Sequence, residues 1–97
     1  MNIETADFVI SLNGRDEGKR FLVIGTEEQY AFLADGKGRR ANKPKRKKCK
    51  HIKLESRREH GLSEKLRSGE RVTNKELRRT LAEQEKVQGQ GHEEGGM

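Results

Sequence analysis

Cysteine, proline, tryptophan and long apolar runs are what this 97-residue chain has least of: one Cys, one Pro, no Trp, and no apolar run longer than Tyr30 to Ala34. A single thiol, Cys49, excludes an internal disulfide, and a small domain without disulfide staples fits a reducing compartment. The apolar runs are too short to span a bilayer, and Met1 to Asp7 has neither the basic start nor the apolar stretch of a signal peptide. The expectation is a soluble, cytoplasmic protein that contacts no membrane. Aromatic residues make up 4% of the chain, which counts against a single-strand reader that stacks bases on exposed rings. With 29% hydrophobic and 39% charged residues, the chain fills one small core and leaves part of itself outside it.

Charge, by contrast, is abundant and segregated. Met1 to Gly36 holds three basic and seven acidic residues, Lys37 to Arg58 twelve basic and one acidic, and Glu59 to Met97 seven basic and eight acidic. The whole positive excess of the chain, net +6, therefore sits in the middle segment. Clustered Lys and Arg displace condensed counterions from phosphates, so this concentration points to a polyanion partner. A solvated charge run that merely keeps the chain soluble is the plainer reading, and it suits a mixed-sign surface better than this one.

Phe8, Ile10 and Leu12 alternate with Val9 and Ser11, the period-two pattern of a strand with one buried face. Phe21 to Ile24, between Gly18 and Gly25, reads as a central strand. Tyr30 to Ala34 reads as a third, before the turn dipeptide Asp35-Gly36. Ile52 and Leu54, two apart and beyond Pro44, predict one more short strand after an extended basic arm over residues 37–53. The pieces add up to a mainly β fold, a small antiparallel barrel.

Between the first two strands lies Gly14-Arg15-Asp16-Glu17-Gly18-Lys19-Arg20. The stretch Leu12 to Ile24 resembles a KOW motif. Together with Ala34-Asp35-Gly36-Lys37-Gly38-Arg39-Arg40 and Lys43-Pro44-Lys45-Arg46-Lys47-Lys48-Cys49-Lys50-His51-Ile52, it makes the chain similar to the KOW-containing large-subunit ribosomal proteins of archaea and eukaryotes. Small bacterial KOW-domain RNA-binding proteins are similar too. The resemblance runs from Asp7 to Leu54, and residues after Arg57 match no part of it. It implies an SH3-like barrel over residues 1–58 that binds RNA, in that family ribosomal RNA, as a ribosomal or ribosome-associated protein. Ribosomal proteins would be further partners, and the free protein is expected to be a monomer.

The loop has its own physical logic. Gly14 and Gly18 adopt positive φ without a Cβ penalty, so the backbone turns sharply and approaches a ribose-phosphate closely. Arg15, Lys19 and Arg20 then project from the tip, while Asp16 and Glu17 are expected to bond the turn's amides or pair with basic groups. The arm contributes Lys37, Arg39, Arg40, Lys43, Lys45, Arg46, Lys47, Lys48, Lys50 and Lys53, too dense for one face of a stable element. An extended segment following a groove in folded RNA is expected, reading backbone and shape. Tyr30 is the one candidate stacker, and the three Phe residues read as core.

Other chemistries fail on spacing. Gly14 to Lys19 has three residues between its glycines where a P-loop needs four, and Arg20 stands where a metal-binding Ser or Thr belongs. Gly36-Lys37-Gly38-Arg39-Arg40-Ala41 matches the dinucleotide pattern but has no apolar periodicity after it to make the receiving helix. Cys49 and His51 have no second ligand pair, and no Ser has a base-and-orienter context. The reading is therefore no enzyme, no metal and no cofactor.

Val72-Thr73-Asn74-Lys75-Glu76-Leu77 is a capping box with a hydrophobic staple, predicting a helix from about Asn74 to Lys86. Leu62 and Leu66 mark a shorter helix opened by Ser63 and stopped by Gly69. This extension, residues 59–87, has a thin apolar stripe, so it docks on the barrel, meets a partner, or frays. Residues 88–97 are polar, Gly-rich and expected to be disordered. An alternative function, a protein-interaction adaptor of the transcription or translation machinery, would use the acidic first block and the Leu77/Leu81 stripe.

Overall fold

Alternation along the strands sorts their side chains onto two sheet faces, and both faces are buried. The computed structural model describes residues 2–96, with side chains through residue 87. Five strands form one antiparallel sheet: β1 (Phe8–Ser11), β2 (Arg20–Glu27), β3 (Tyr30–Ala34), β4 (Lys45–Lys48) and β5 (Ile52–Ser56), in the order β4-β3-β2-β1-β5. The first four strands run as a meander, and β5 returns to the free edge of β1. No ladder joins β4 to β5 among the described residues, so the sheet stays open. A single 3-10 turn, Cys49–His51, connects these two edge strands. It is tied at both ends, with Cys49 N–H donating to Gln29 O and Leu12 N–H donating to His51 O.

One face carries Val9, Phe21, Val23, Ala31, Leu33 and Ile52, which gather with Ile3 into a cluster inside the curl of the sheet. The opposite face carries Phe8, Leu22 and Ala34, which meet Leu62, Leu66, Val72 and Leu77 from the helical segment. Burial on both faces is why β2 reads as a continuous apolar run rather than an alternating one. Leu12, expected in the first strand, lies beyond it and is 47% exposed.

Two helices, α1 (Ser63–Arg67) and α2 (Asn74–Gly96), cover the Phe8 face. Helix α1 ends in a Schellman arrangement: Gly69 N–H donates to Leu66 O, Glu70 N–H to Lys65 O, and Gly69 sits at φ 77°. The capping box closes as the sequence predicts, with Thr73 N–H donating to Glu76 Oε1 and Glu76 N–H to Thr73 Oγ1. Val72 and Leu77 share one cluster, the staple completing that start. Of the three fates open to this segment, docking is the one it takes, and Leu77 is fully buried.

One expectation changes. Lys45 to Lys48, assigned to an extended arm, are the edge strand β4, paired with β3 in the register Tyr30↔Lys48 to Leu33↔Lys45. An edge strand needs only one ladder, and its charged side chains discourage pairing with other chains, so density of charge does not exclude it. Helix α2 begins at Asn74, as the capping box predicts, and its backbone is helical as far as Gly96. The disorder expected over residues 88–97 falls on Met97 and on residues whose side chains lie outside the described ones. No described helix is long and apolar enough to cross a membrane.

Candidate nucleic-acid interface

The glycine-bracketed loop forms as a 3-10 turn over Gly14–Asp16, with Gly14 and Gly18 at φ 78° and 84°. Gly18 N–H donates to Ser11 O and Ser11 N–H to Lys19 O, which closes the loop onto the end of β1. Asp16 is 8% exposed and accepts a hydrogen bond from Arg39 Nη2 at 3.4 Å, so it pairs with a basic group as expected. Arg15 and Lys19 are exposed at the tip. Arg20 is not with them. It begins β2, and its Nε donates to Glu55 Oε2 at 2.7 Å, with Glu85 Oε1 3.7 Å from Nη1. A cation whose partner is a carboxylate only 6% exposed serves the fold, because the acid would otherwise be buried without its counter-charge.

The segment after β3 is held by its own acid and by α2. Asp35 Oδ1 accepts from the N–H groups of Lys37 and Arg39, both at 2.9 Å, and Gly36 adopts φ 78°. Asn74 Oδ1 accepts from Ala41 N–H at 2.8 Å, and Arg78 Nη1 donates to Gly36 O at 2.7 Å. A Cβ on Gly36 would lie 2.4 Å from Asn74 O, so only glycine permits this approach of loop to helix. Lys37, Arg40 and Lys43 are exposed on the loop so fixed. Sequence reasoning missed Asn74 and Arg78, because nothing in the spacing shows which loop the helix start will meet.

Strand β4 continues the basic surface. Lys47 Nζ donates to Asn13 O at 3.0 Å, which ties β4 to the Gly14 loop. Lys45 and Lys48 are half-buried, while Arg46 is exposed with its guanidinium carbon 3.7 Å from the centre of the Tyr30 ring. Lys50, in the 3-10 turn, and Lys53, on β5, are exposed. Between loop and strand lies an open cleft of about 600 Å³ lined by Arg39, Arg40, Asn42, Lys43, Lys45 and Arg46, with no carboxylate in its wall.

Of the residues nominated from sequence, Arg15, Lys19, Lys37, Arg40, Lys43, Lys45, Arg46, Lys48, Lys50 and Lys53 have no carboxylate within ion-pair distance among the described residues. Arg20, Arg39 and Lys47 are spent on Glu55, Asp16 and a backbone carbonyl. Elsewhere Arg57, Lys65 and Arg67 are paired. Buried Asp7 receives Arg57 through two hydrogen bonds of 2.9 Å each, Arg67 reaches Glu59, and Lys65 reaches Glu76 at 2.9 Å. The Lys65 ammonium, helped by Thr73 N–H, holds the Glu76 carboxyl down at about 2, and the Asp7 carboxylate raises the Arg57 guanidinium further above its ordinary range. No protein-family model matches this chain, and a search of the curated proteins finds no match.

Proposed function

We propose that this protein binds folded RNA, as a ribosomal or ribosome-associated protein of the KOW type, on the surface formed by the Gly14 loop, the 37–43 loop and β4. The observation that carries the reading is the carboxylate-free cleft lined by Arg40, Lys43, Lys45 and Arg46, none of which has a carboxylate within ion-pair distance among the described residues. A concave basic wall follows a phosphate backbone, and releasing counterions from that backbone supplies the affinity. An SH3-like barrel is the matching fold proposal. It is supported by the meander, the return of β5 to β1 and the one-turn link from β4 to β5. The adaptor alternative loses one carrier, since Leu77 is buried and Leu81 packs on the same cluster.

The test is a filter-binding titration of the full chain against a structured RNA at several salt concentrations. Replacing Lys37, Arg40, Lys43 and Lys50 with Gln removes four phosphate contacts. The slope of log K against log salt is then expected to shrink by about 3 units, with affinity at low salt falling about a hundredfold or more. Equal slopes for the wild type and the variant would overturn the reading.

A further inference from the structure

Parity along β3 separates its aromatic residues from its core. Ala31 and Leu33 point into the inner cluster, so Tyr30, Phe32 and Ala34 share the outer face. Helix residues meet Ala34, whereas Tyr30 and Phe32 lie beyond that cluster and are half-buried. Phe32 is therefore not the core residue that its type suggests. Register places Gly25, Phe32 and Arg46 in one cross-strand row and Glu27, Tyr30 and Lys48 in the next. Gly25 brings no side chain to its row, and a Cβ there would lie 3.8 Å from Phe32 Cδ2, so β2 offers that ring only backbone. Arg46 leans diagonally onto Tyr30, its guanidinium carbon 3.7 Å from the ring centre, and the residue is exposed.

We propose that Tyr30, Phe32 and Arg46 form a stacking platform for one unpaired nucleobase of the bound RNA, an inference that rests on the RNA-binding reading above. A guanidinium already seated over an aromatic ring pays little further ordering on binding, and a base stacks on a guanidinium plane as it does on an aromatic side chain. Lys would not substitute, because an ammonium is a point charge without a plane. Lys48, in the adjoining row on the same face, receives the flanking phosphates. Glu27, on the far side of Tyr30 from Lys48, repels them, so the sugar-phosphate of the bound nucleotide lies toward β4. The platform adds selection for an unpaired base to a surface that otherwise reads charge and shape.

Two RNA hairpins of the same stem test this, one with a single bulged 2-aminopurine and one fully paired, each titrated with the full chain. The wild type is expected to prefer the bulged hairpin about tenfold and to change its 2-aminopurine fluorescence. Arg46→Lys, which keeps the charge and removes the plane, is expected to abolish both the preference and the fluorescence change. Tyr30→Leu should do the same, and if it melts early, Arg46→Lys alone decides. A preference that survives Arg46→Lys, or equal wild-type affinity for the two hairpins, overturns the platform while leaving RNA binding intact. Failure to bind either hairpin at low salt overturns both.

Discussion

Arg57 and Arg40 carry the same guanidinium and serve opposite ends. Around Phe8 the cations are pinned: Arg57 to Asp7, and Arg58 to Gln84 Oε1 at 2.6 Å while lying 5.2 Å from the Phe8 ring centre. At the other end, from the 37–43 loop to β4, cations line a cleft with no acid in its wall. The acids of the first block explain much of the division, because Asp7, Asp16 and Asp35 are each engaged in holding a specific cation or loop. Positive charge is structural where a buried acid meets it and available where none does. Sequence position alone does not show which.

The comparison breaks most visibly at Arg57. Arg57→Ala leaves Asp7, 2% exposed, with only the Glu4 N–H. The largest loss of stability in this set is expected here, because a buried carboxylate is left without its counter-charge. Urea denaturation checks it, and RNA affinity extrapolated to the folded fraction should be unchanged. Gly36→Ala comes next. Holding Ala at positive φ costs about 1–3 kcal/mol, and the clash with Asn74 O moves the loop off α2, so both stability and RNA affinity should fall. Lys43→Gln marks the small end: stability should stay within about 0.5 kcal/mol of wild type, while the salt slope of RNA binding drops by less than about 1.

A pH scan sharpens the same division. His60 donates from Nε2 to Ala6 O and accepts Leu62 N–H at Nδ1, so the neutral ring with its proton on Nε2 satisfies both bonds. Burial, together with nearby Arg58, keeps its pKa below the ordinary value, against the opposing pull of Ala6 O. Its folded value is lowered, so its contribution is complete above roughly pH 6.5 and is lost as pH falls through the lowered value. The melting temperature should therefore drop between neutral and mildly acidic pH, and His60→Gln should flatten that drop. A profile unchanged by His60→Gln would move the effect to other groups. Glu76 acts lower: its value near 2 means its ion pair with Lys65 is lost only as pH falls from the ordinary carboxylate range toward 2.

Much of the fold was legible because the signals were local. Period-two alternation located β1, the apolar runs before Gly25 and before Asp35-Gly36 located β2 and β3, although β2 continues through Gly25 to Glu27, and the Thr73/Glu76 box placed the start of α2 to the residue. Strand β4 was not legible, since Lys45-Arg46-Lys47-Lys48 has no apolar pattern and its strand state depends on the partner β3 supplies. The site divides in the same way. The glycine turn and the exposed Arg15 and Lys19 follow from the loop sequence, but the diversion of Arg20 to Glu55 spans 35 positions and carries no local mark. Phe32 was misread for a related reason. Its parity with Tyr30 was visible, but not that the helices would stop covering that face at Ala34.

The sequence by itself determined where charge accumulates, which segments extend and where each helix begins, because these depend on neighbours within a few positions. Only the tertiary structure decided which cations stay available, which sheet face the helices cover and how α2 holds the basic loop. Those outcomes turn on whether a particular acid, carbonyl or apolar side chain arrives from a distant part of the chain, and burial makes each such meeting matter by removing the water that would otherwise stand in for the partner.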